Sequence, residues 1–202
     1  HCRWSTIRMQ PAGTDRHVAG TDGANTNSWR AHSQEEGGGL LFDHGWHAFY
    51  VVTRWMGAHP LSLSARRSAS PRNHAGSETW DLGLEFPQAR AEIHLTWSGR
   101  KRENLARLEV KNGVIEMRDD VVLLEKENSS ETISIGSAVS NGSYHPDWFG
   151  GVIRDFLHAL SDKEALRRNQ ADALLCSRLI DAARRSDESK GAIVELTNIK
   201  SN

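Results

Sequence analysis

The sequence predicts an α+β fold, a large and mainly antiparallel open sheet with helices packed on one face. Three observations carry this: a helical apolar stripe over residues 40–56, a tract of alternating segments from 61 to 135, and helical stretches over 147–160 and 171–185. With 202 residues and 38% hydrophobic content, the chain can bury one sizeable core, so a single domain over residues 1–202 is expected.

Residues 2–9 alternate enough to read as a strand. Residues 11–34 are rich in Gly, Thr, Asn and Asp without periodicity and read as a long loop, a candidate lid or docking arm that carries Trp29 and Arg30. Over 40–56, Phe42, Trp46, Phe49 and Met56 follow helical spacing as the core stripe, with Asp43, His47, Tyr50 and Arg54 as a polar stripe beside it. Gly57 then stops the helix and Pro60 prevents its resumption.

The period then changes to two. Trp80, Leu82, Leu84 and Phe86 share one face, as do Ala91, Ile93, Leu95 and Trp97, with a tight connection at Pro87 and Gln88. Ala106, Leu108 and Val110 continue the alternation, Asn112 and Gly113 signal a hairpin turn, and short strands follow at 114–117, 121–124 and 132–135. In the last third Trp148, Val152, Phe156 and Leu160 recur every four residues. Leu174, Leu175, Leu179, Ile180 and Ala183 mark a second helix, and Gly191 introduces a closing strand at 192–196.

The balance of 25 basic against 26 acidic residues removes any global electrostatic case for a nucleic-acid partner. Arg100, Lys101 and Arg102, and Arg184 with Arg185, read as solvated ends of elements. Cys2 and Cys176 have no CxxC or zinc-finger spacing, so a reducing, cytoplasmic setting is expected, and Cys176, on an apolar helix face, reads as a buried inert thiol. Apolar stretches are too short to span a bilayer, the N-terminus lacks secretory organisation, and a first residue of His1 rather than Met is the expectation for a fragment.

Asp43 and His47 stand four residues apart, just after Gly37, Gly38 and Gly39, so carboxylate and imidazole are expected on one helix face. One reading is a proton-handling pair, in which the imidazole takes a proton from a substrate hydroxyl and the carboxylate orients it. The other is an Asp favoured by the helix dipole beside a packed His. His44 is expected to point to another part of the helix. With no second ligand cluster, no metal site is expected. No GxSxG, HExxH or Walker-type loop offers a competing enzyme class.

The glycine triplet followed by Asp43 and His47 resembles the second-domain signature of Gfo/Idh/MocA-type oxidoreductases. The strand meander, the Tyr144-to-Phe149 approach to a helix, and the ending from Leu179 through Ser186 and Gly191 to Leu196 extend that resemblance over nearly the whole chain. It implies the substrate-binding and oligomerisation domain of an NAD- or NADP-dependent dehydrogenase acting on a sugar, polyol or related hydroxy compound. His47 becomes the general base and Asp43 its partner, beside a lysine from a dinucleotide-binding domain. Tyr50, Arg54, Trp29 and Arg30 become substrate contacts. Homo-oligomers through the open sheet face are also implied.

Two departures stand against that pattern. No GxGxxG follows a strand, so no cofactor site is expected in this chain and the dinucleotide-binding domain is absent from it. Ala48, Phe49 and Tyr50 occupy the stretch after His47, where many family members carry an acidic residue. The alternative function is a non-catalytic carbohydrate-binding or dimerisation module with the same fold.

Overall fold

The computed structural model describes residues 1–9, 39–69, 78–136 and 146–196. The chain order is β1 (Cys2–Met9), a π-helical turn (Leu41–Gly45) running directly into α1 (Trp46–Met56), then β2 (Ser62–Ala69) and β3 (Glu78–Phe86). Next come β4 (Ala89–Thr96), β5 (Ser98–Val110), β6 (Gly113–Arg118), β7 (Val121–Lys126) and β8 (Ser129–Ser134). The helices α2 (Pro146–Ser161) and α3 (Lys163–Glu188) precede a two-residue β9 (Val194–Glu195).

Among the described residues the strands form one sheet in the order β8-β7-β6-β5-β1-β4-β3-β2-β9. The chain therefore starts mid-sheet. Trp4 of β1 lies beside Ile93 of the parallel β4 and beside Ala106 of the antiparallel β5, and every other neighbouring pair is antiparallel. This is the expected α+β architecture with a mostly antiparallel open sheet.

Period-two patterning sets which sheet face is buried. Cys2 and Trp4 on β1, Leu63 and Ala65 on β2, Trp80, Leu82, Leu84 and Phe86 on β3, and Ala91, Ile93 and Leu95 on β4 all enter one core. Helix α3 packs on β2, and α1 lies against α3, β1 and β4. They close that core with Phe49, Val52, Leu175, Cys176, Leu179, Ile180 and Ala183. Fully buried side chains such as Phe49 and Leu179 each contribute roughly 1.5–3 kcal/mol by leaving water.

Helical cover is narrower than expected. It sits over the β1, β4 and β2 half, whereas the side chains of β6 to β8 are half-buried or exposed whichever face they take. Helix α2 packs against α3. Trp148, Val152, Phe156 and Leu160, the periodic apolar residues of that helix, are exposed, and Ala159 is buried.

Turns and caps explain the element ends. Gly57 takes φ 62° and returns its N–H to Thr53, as a helix-stopping glycine does. The β5–β6 turn is Lys111 and Asn112, one residue earlier than expected, with Gly113 opening β6. Gly113 is needed for another reason: a Cβ there would strike the carbonyl oxygen of Glu125 on β7. Helix α3 begins at Lys163, eight residues before the expected 171, because Asp162 accepts N–H bonds from Glu164 and Ala165 as N-cap. Those bonds, from Ala165 and then Glu164, hold the Asp162 carboxyl below the usual carboxylate range.

Candidate functional site

The helix bearing Asp43 and His47 starts at a glycine. Gly39 takes φ 99°, and its carbonyl accepts the N–H of Asp43 at 3.0 Å. The π-helical turn then widens the spiral before α1 continues it. Gly45 leaves room for the Leu41 side chain of the same turn, since a Cβ would lie 2.9 Å from Leu41 Cδ1, while Leu95 Cδ1 on β4 would be in ordinary contact at 3.8 Å.

The buried stripe differs from the one expected. It consists of Leu41, His44, Gly45, Ala48, Phe49 and Val52, while Phe42 is 47% exposed. Small Gly45 and Ala48 are buried, Trp46 is half-buried against the core, and Phe42 is turned outward. Consequently His47, Tyr50 and Arg54 share the solvent side of the helix, and Asp43 is half-buried at its start. The polar stripe therefore lines the free surface of α1. Arg54 also reaches α3, 3.6 Å from Asp172.

His44, expected to point elsewhere, is buried at 6% exposure, with Nε2 3.3 Å from the Asp43 carboxylate. Its ring meets Trp97 edge-on at 6.4 Å between centroids. Among the described residues, no ion pair joins Asp43 to His47. The two therefore share a neighbourhood without a direct bond. Trp29 and Arg30, with Gly37 and Gly38, lie outside the described residues.

A residue missed in the sequence braces the start of this helix. Glu78, first in β3, accepts the Leu40 N–H at 2.8 Å and the Trp80 indole N–H at 2.8 Å. Its carboxylate lies 4.0 Å from Arg67, which also reaches Asp187 of α3 at 3.6 Å. No local motif marks Glu78, because it stands 38 residues beyond Leu40.

The helix starts after Gly39 and at Lys163 do not suit a dinucleotide. A pyrophosphate needs free backbone donors at a glycine-rich strand-to-helix turn. Here the glycine-preceded helix start already receives the Glu78 carboxylate, and the α3 start receives Asp162. Among the described residues, no group of three or more His, Cys, Asp and Glu converges on a metal-sized site, and no helix is long and apolar enough to cross a membrane.

Cys2 and Cys176 are free and buried, and burial pushes both thiols up to about 11. Cys176 accordingly sits in the core as an unreactive thiol, as its apolar helix face implied.

Comparison with known proteins places these features in context. Residues 8–116 match the family described as GFO/IDH/MocA C-terminal domain. No curated protein matches the sequence. Among solved structures, levoglucosan dehydrogenase in complex with NADH and levoglucosan is similar at TM-score 0.69 and 14% identity, over 98% of this chain and 59% of that one. An oxidoreductase from Agrobacterium radiobacter in complex with NAD+, L-tartaric acid and magnesium gives 0.68 and 15%, over 97% and 56%. The aldose-aldose oxidoreductase from Caulobacter crescentus complexed with glycerol gives 0.65 and 16%, over 96% and 55%. This chain thus spans a little over half the length of each.

Proposed function

We propose, since the chain belongs to the GFO/IDH/MocA C-terminal domain family, that it is the substrate-binding and proton-transferring domain of an NAD- or NADP-dependent dehydrogenase. Its substrate class is a sugar, polyol or related hydroxy compound. The proposal treats residues 1–202 as one such domain, working with a dinucleotide-binding domain that they do not include. The observation that carries it is the exposed row of His47, Tyr50 and Arg54 on α1, with Asp43 one turn earlier. The names of the similar structures, which include bound levoglucosan, glycerol and L-tartaric acid, support the substrate class.

Oxidation of a hydroxyl to a carbonyl removes a proton from oxygen and a hydride from carbon. The hydride acceptor, NAD or NADP, belongs to the other domain, and the part assigned to this chain is the proton. His47 takes it from the substrate hydroxyl as general base, because an exposed imidazole can accept a proton near neutral pH. Asp43 stands one turn before His47 as the acidic partner, Tyr50 offers a hydroxyl for hydrogen bonding, and Arg54 supplies a cation at the rim.

The test uses the complete protein with both domains, assayed for NAD- or NADP-linked oxidation of aldoses, polyols, levoglucosan and hydroxy acids. Turnover of at least one, reduced by about 10²–10⁴ in His47→Ala with the melting temperature unchanged, is the expected result. Absence of turnover on the whole panel overturns the proposal.

Self-association through the open sheet face is part of the same proposal. That face carries the ion pair Arg3–Glu92 at 3.1 Å and the His94–Asp81 hydrogen bond at 2.7 Å, so the contact is a polar one. Light scattering should show a dimer or larger species, and a monomer at high protein concentration overturns it.

A further inference from the structure

We infer that Glu78 is a positioning residue for the proton-transfer site, acting by fixing the first turn of the helix that carries Asp43 and His47. For its catalytic consequence this rests on the proposed function. The local geometry stands by itself.

Both carboxylate oxygens of Glu78 are committed. Oε2 accepts the Leu40 N–H and Oε1 the Trp80 indole N–H, each at 2.8 Å. The backbone carbonyl of Glu78 accepts the N–H of Trp97 at 3.0 Å, so main chain and side chain are both anchored. Arg67 adds positive charge 4.0 Å from Oε1, and is itself held where its backbone N–H meets Asp187 at 2.8 Å and its guanidinium carbon stands 6.0 Å from the Trp80 ring centre. With its side chain 12% exposed, the carboxylate has little room to swing.

Such a brace acts where the helix is weakest. The first backbone donors of a helix have no partner within it, and a carboxylate there meets both the free N–H and the positive end of the helix dipole. Asp43 follows Leu40 within one turn, closed by its own bond to Gly39, and His47 lies about 10 Å along the axis at 1.5 Å per residue. Loss of the Leu40 bond frees this turn to fray or tilt, and misplacement by about 1 Å at a reacting group costs on the order of 10² in rate. Glu78 touches neither Asp43 nor His47, so its effect is on placement.

Glu78→Ala, Glu78→Gln and Glu78→Asp separate the possibilities. Glutamine keeps an acceptor oxygen for the Leu40 N–H without the charge but turns its NH2 towards the Trp80 indole N–H, alanine removes both acceptors, and aspartate keeps two oxygens one methylene short. In this chain, hydrogen exchange at the Leu40 amide and the NMR shift of the His47 ring report placement directly. Glu78→Ala should exchange at least about tenfold faster at Leu40 and move the His47 signal, with Gln near wild type and Asp between.

In the two-domain protein, Glu78→Ala should lower kcat about tenfold to a hundredfold and displace its pH profile, leave KM for the cofactor unchanged, and be largely rescued by Gln. Unchanged Leu40 exchange in Ala, or a lower folded fraction with wild-type kcat and pH profile per folded molecule, overturns the inference. Should Ala not fold, the difference between Gln and Asp decides it: equal behaviour of the two overturns it. If the wild-type protein oxidises no hydroxy compound, the proposed function falls, and Leu40 exchange with the His47 signal still decides whether Glu78 positions the helix.

Discussion

Asp43 lies against His44, its own neighbour, with 3.3 Å between carboxylate oxygen and Nε2, while His47 faces solvent one turn on. Two histidines three residues apart thus have separate environments: one is inside the core edge-on to Trp97, the other on the free face of α1.

That separation gives opposite expectations for the two. His44→Ala removes a buried ring and leaves a partly buried carboxylate without its neighbour, which should cost about 1–3 kcal/mol. His47→Ala should change stability by roughly 0.5 kcal/mol or less and instead remove the general base of the complete enzyme. Urea unfolding of both variants beside their kcat values makes the comparison. A destabilised His47→Ala with near-normal turnover per folded molecule would return His47 to a packing role.

Asp43→Asn should combine the two phenotypes. The substitution removes the charge beside His44 and the carboxylate one turn before His47, so stability should fall by about 1 kcal/mol and kcat of the complete enzyme should fall with it. A stability loss without any change in kcat per folded molecule would confine Asp43 to the His44 contact.

Ser186 should be a stability position with little effect on chemistry. Its fully buried hydroxyl accepts the Ala65 N–H at 2.8 Å and donates to the Ala192 carbonyl at 2.6 Å, tying the end of α3 to β2 and to the turn before β9. Ser186→Ala leaves a buried donor and acceptor unsatisfied, at a cost of about 1–3 kcal/mol. The midpoint of urea unfolding should fall with the slope unchanged, and an unchanged midpoint would show that another group satisfies them.

The parts of this structure visible in sequence are those whose signal is local and periodic. The alternations in β3 and β4 identify the buried face residue by residue, because every second side chain must leave water. Helix α1 was visible too, with Phe49 buried, Trp46 and Met56 against the core and His47, Tyr50 and Arg54 outside; Phe42 is the member of the expected apolar stripe that lies exposed, because the π-helical turn shifts the register at the helix start. The early start of α3 is hard to see in sequence because Ala165 and Leu166 are the sole apolar residues of 163–170, too few to mark a helical stripe, although Asp162 is an available N-cap signal. At the site, Asp43 and His47 could be found from their spacing. Glu78 reaches Leu40 only through strand pairing, which no local pattern encodes.

The thiols should be silent in the native protein and limit its alkaline stability. With folded values of about 11 against an ordinary 9.0, each thiol is overwhelmingly protonated at pH 8, and burial denies reagent access. A thiol raised on folding contributes stability that is intact below about 9 and lost as pH rises towards about 11, because only the unfolded chain ionises freely in that window. Thiol titration with a disulfide reagent should show almost no fast-reacting group without denaturant and two groups in its presence. One rapid equivalent in the native state would mean that Cys2 or Cys176 is reached by opening of its element.

Residues 1–202 alone should not bind NAD or NADP with useful affinity. Dinucleotide pyrophosphate is captured by unpaired backbone donors at a helix start, reinforced by the positive end of the helix dipole. In this chain the helix start after Gly39 faces the Glu78 carboxylate at 2.8 Å, and the α3 start faces Asp162, so each meets an incoming phosphate with like charge already in place. Calorimetric titration of the chain with each cofactor should give no saturable heat up to millimolar concentration. Glu78→Gln, which removes one of those charges, should not create a site, since the helix start remains braced by a side-chain acceptor. Saturable micromolar binding to the wild-type chain would show that a cofactor is held by elements outside these two helix starts and would overturn the assignment of hydride acceptance to a separate domain.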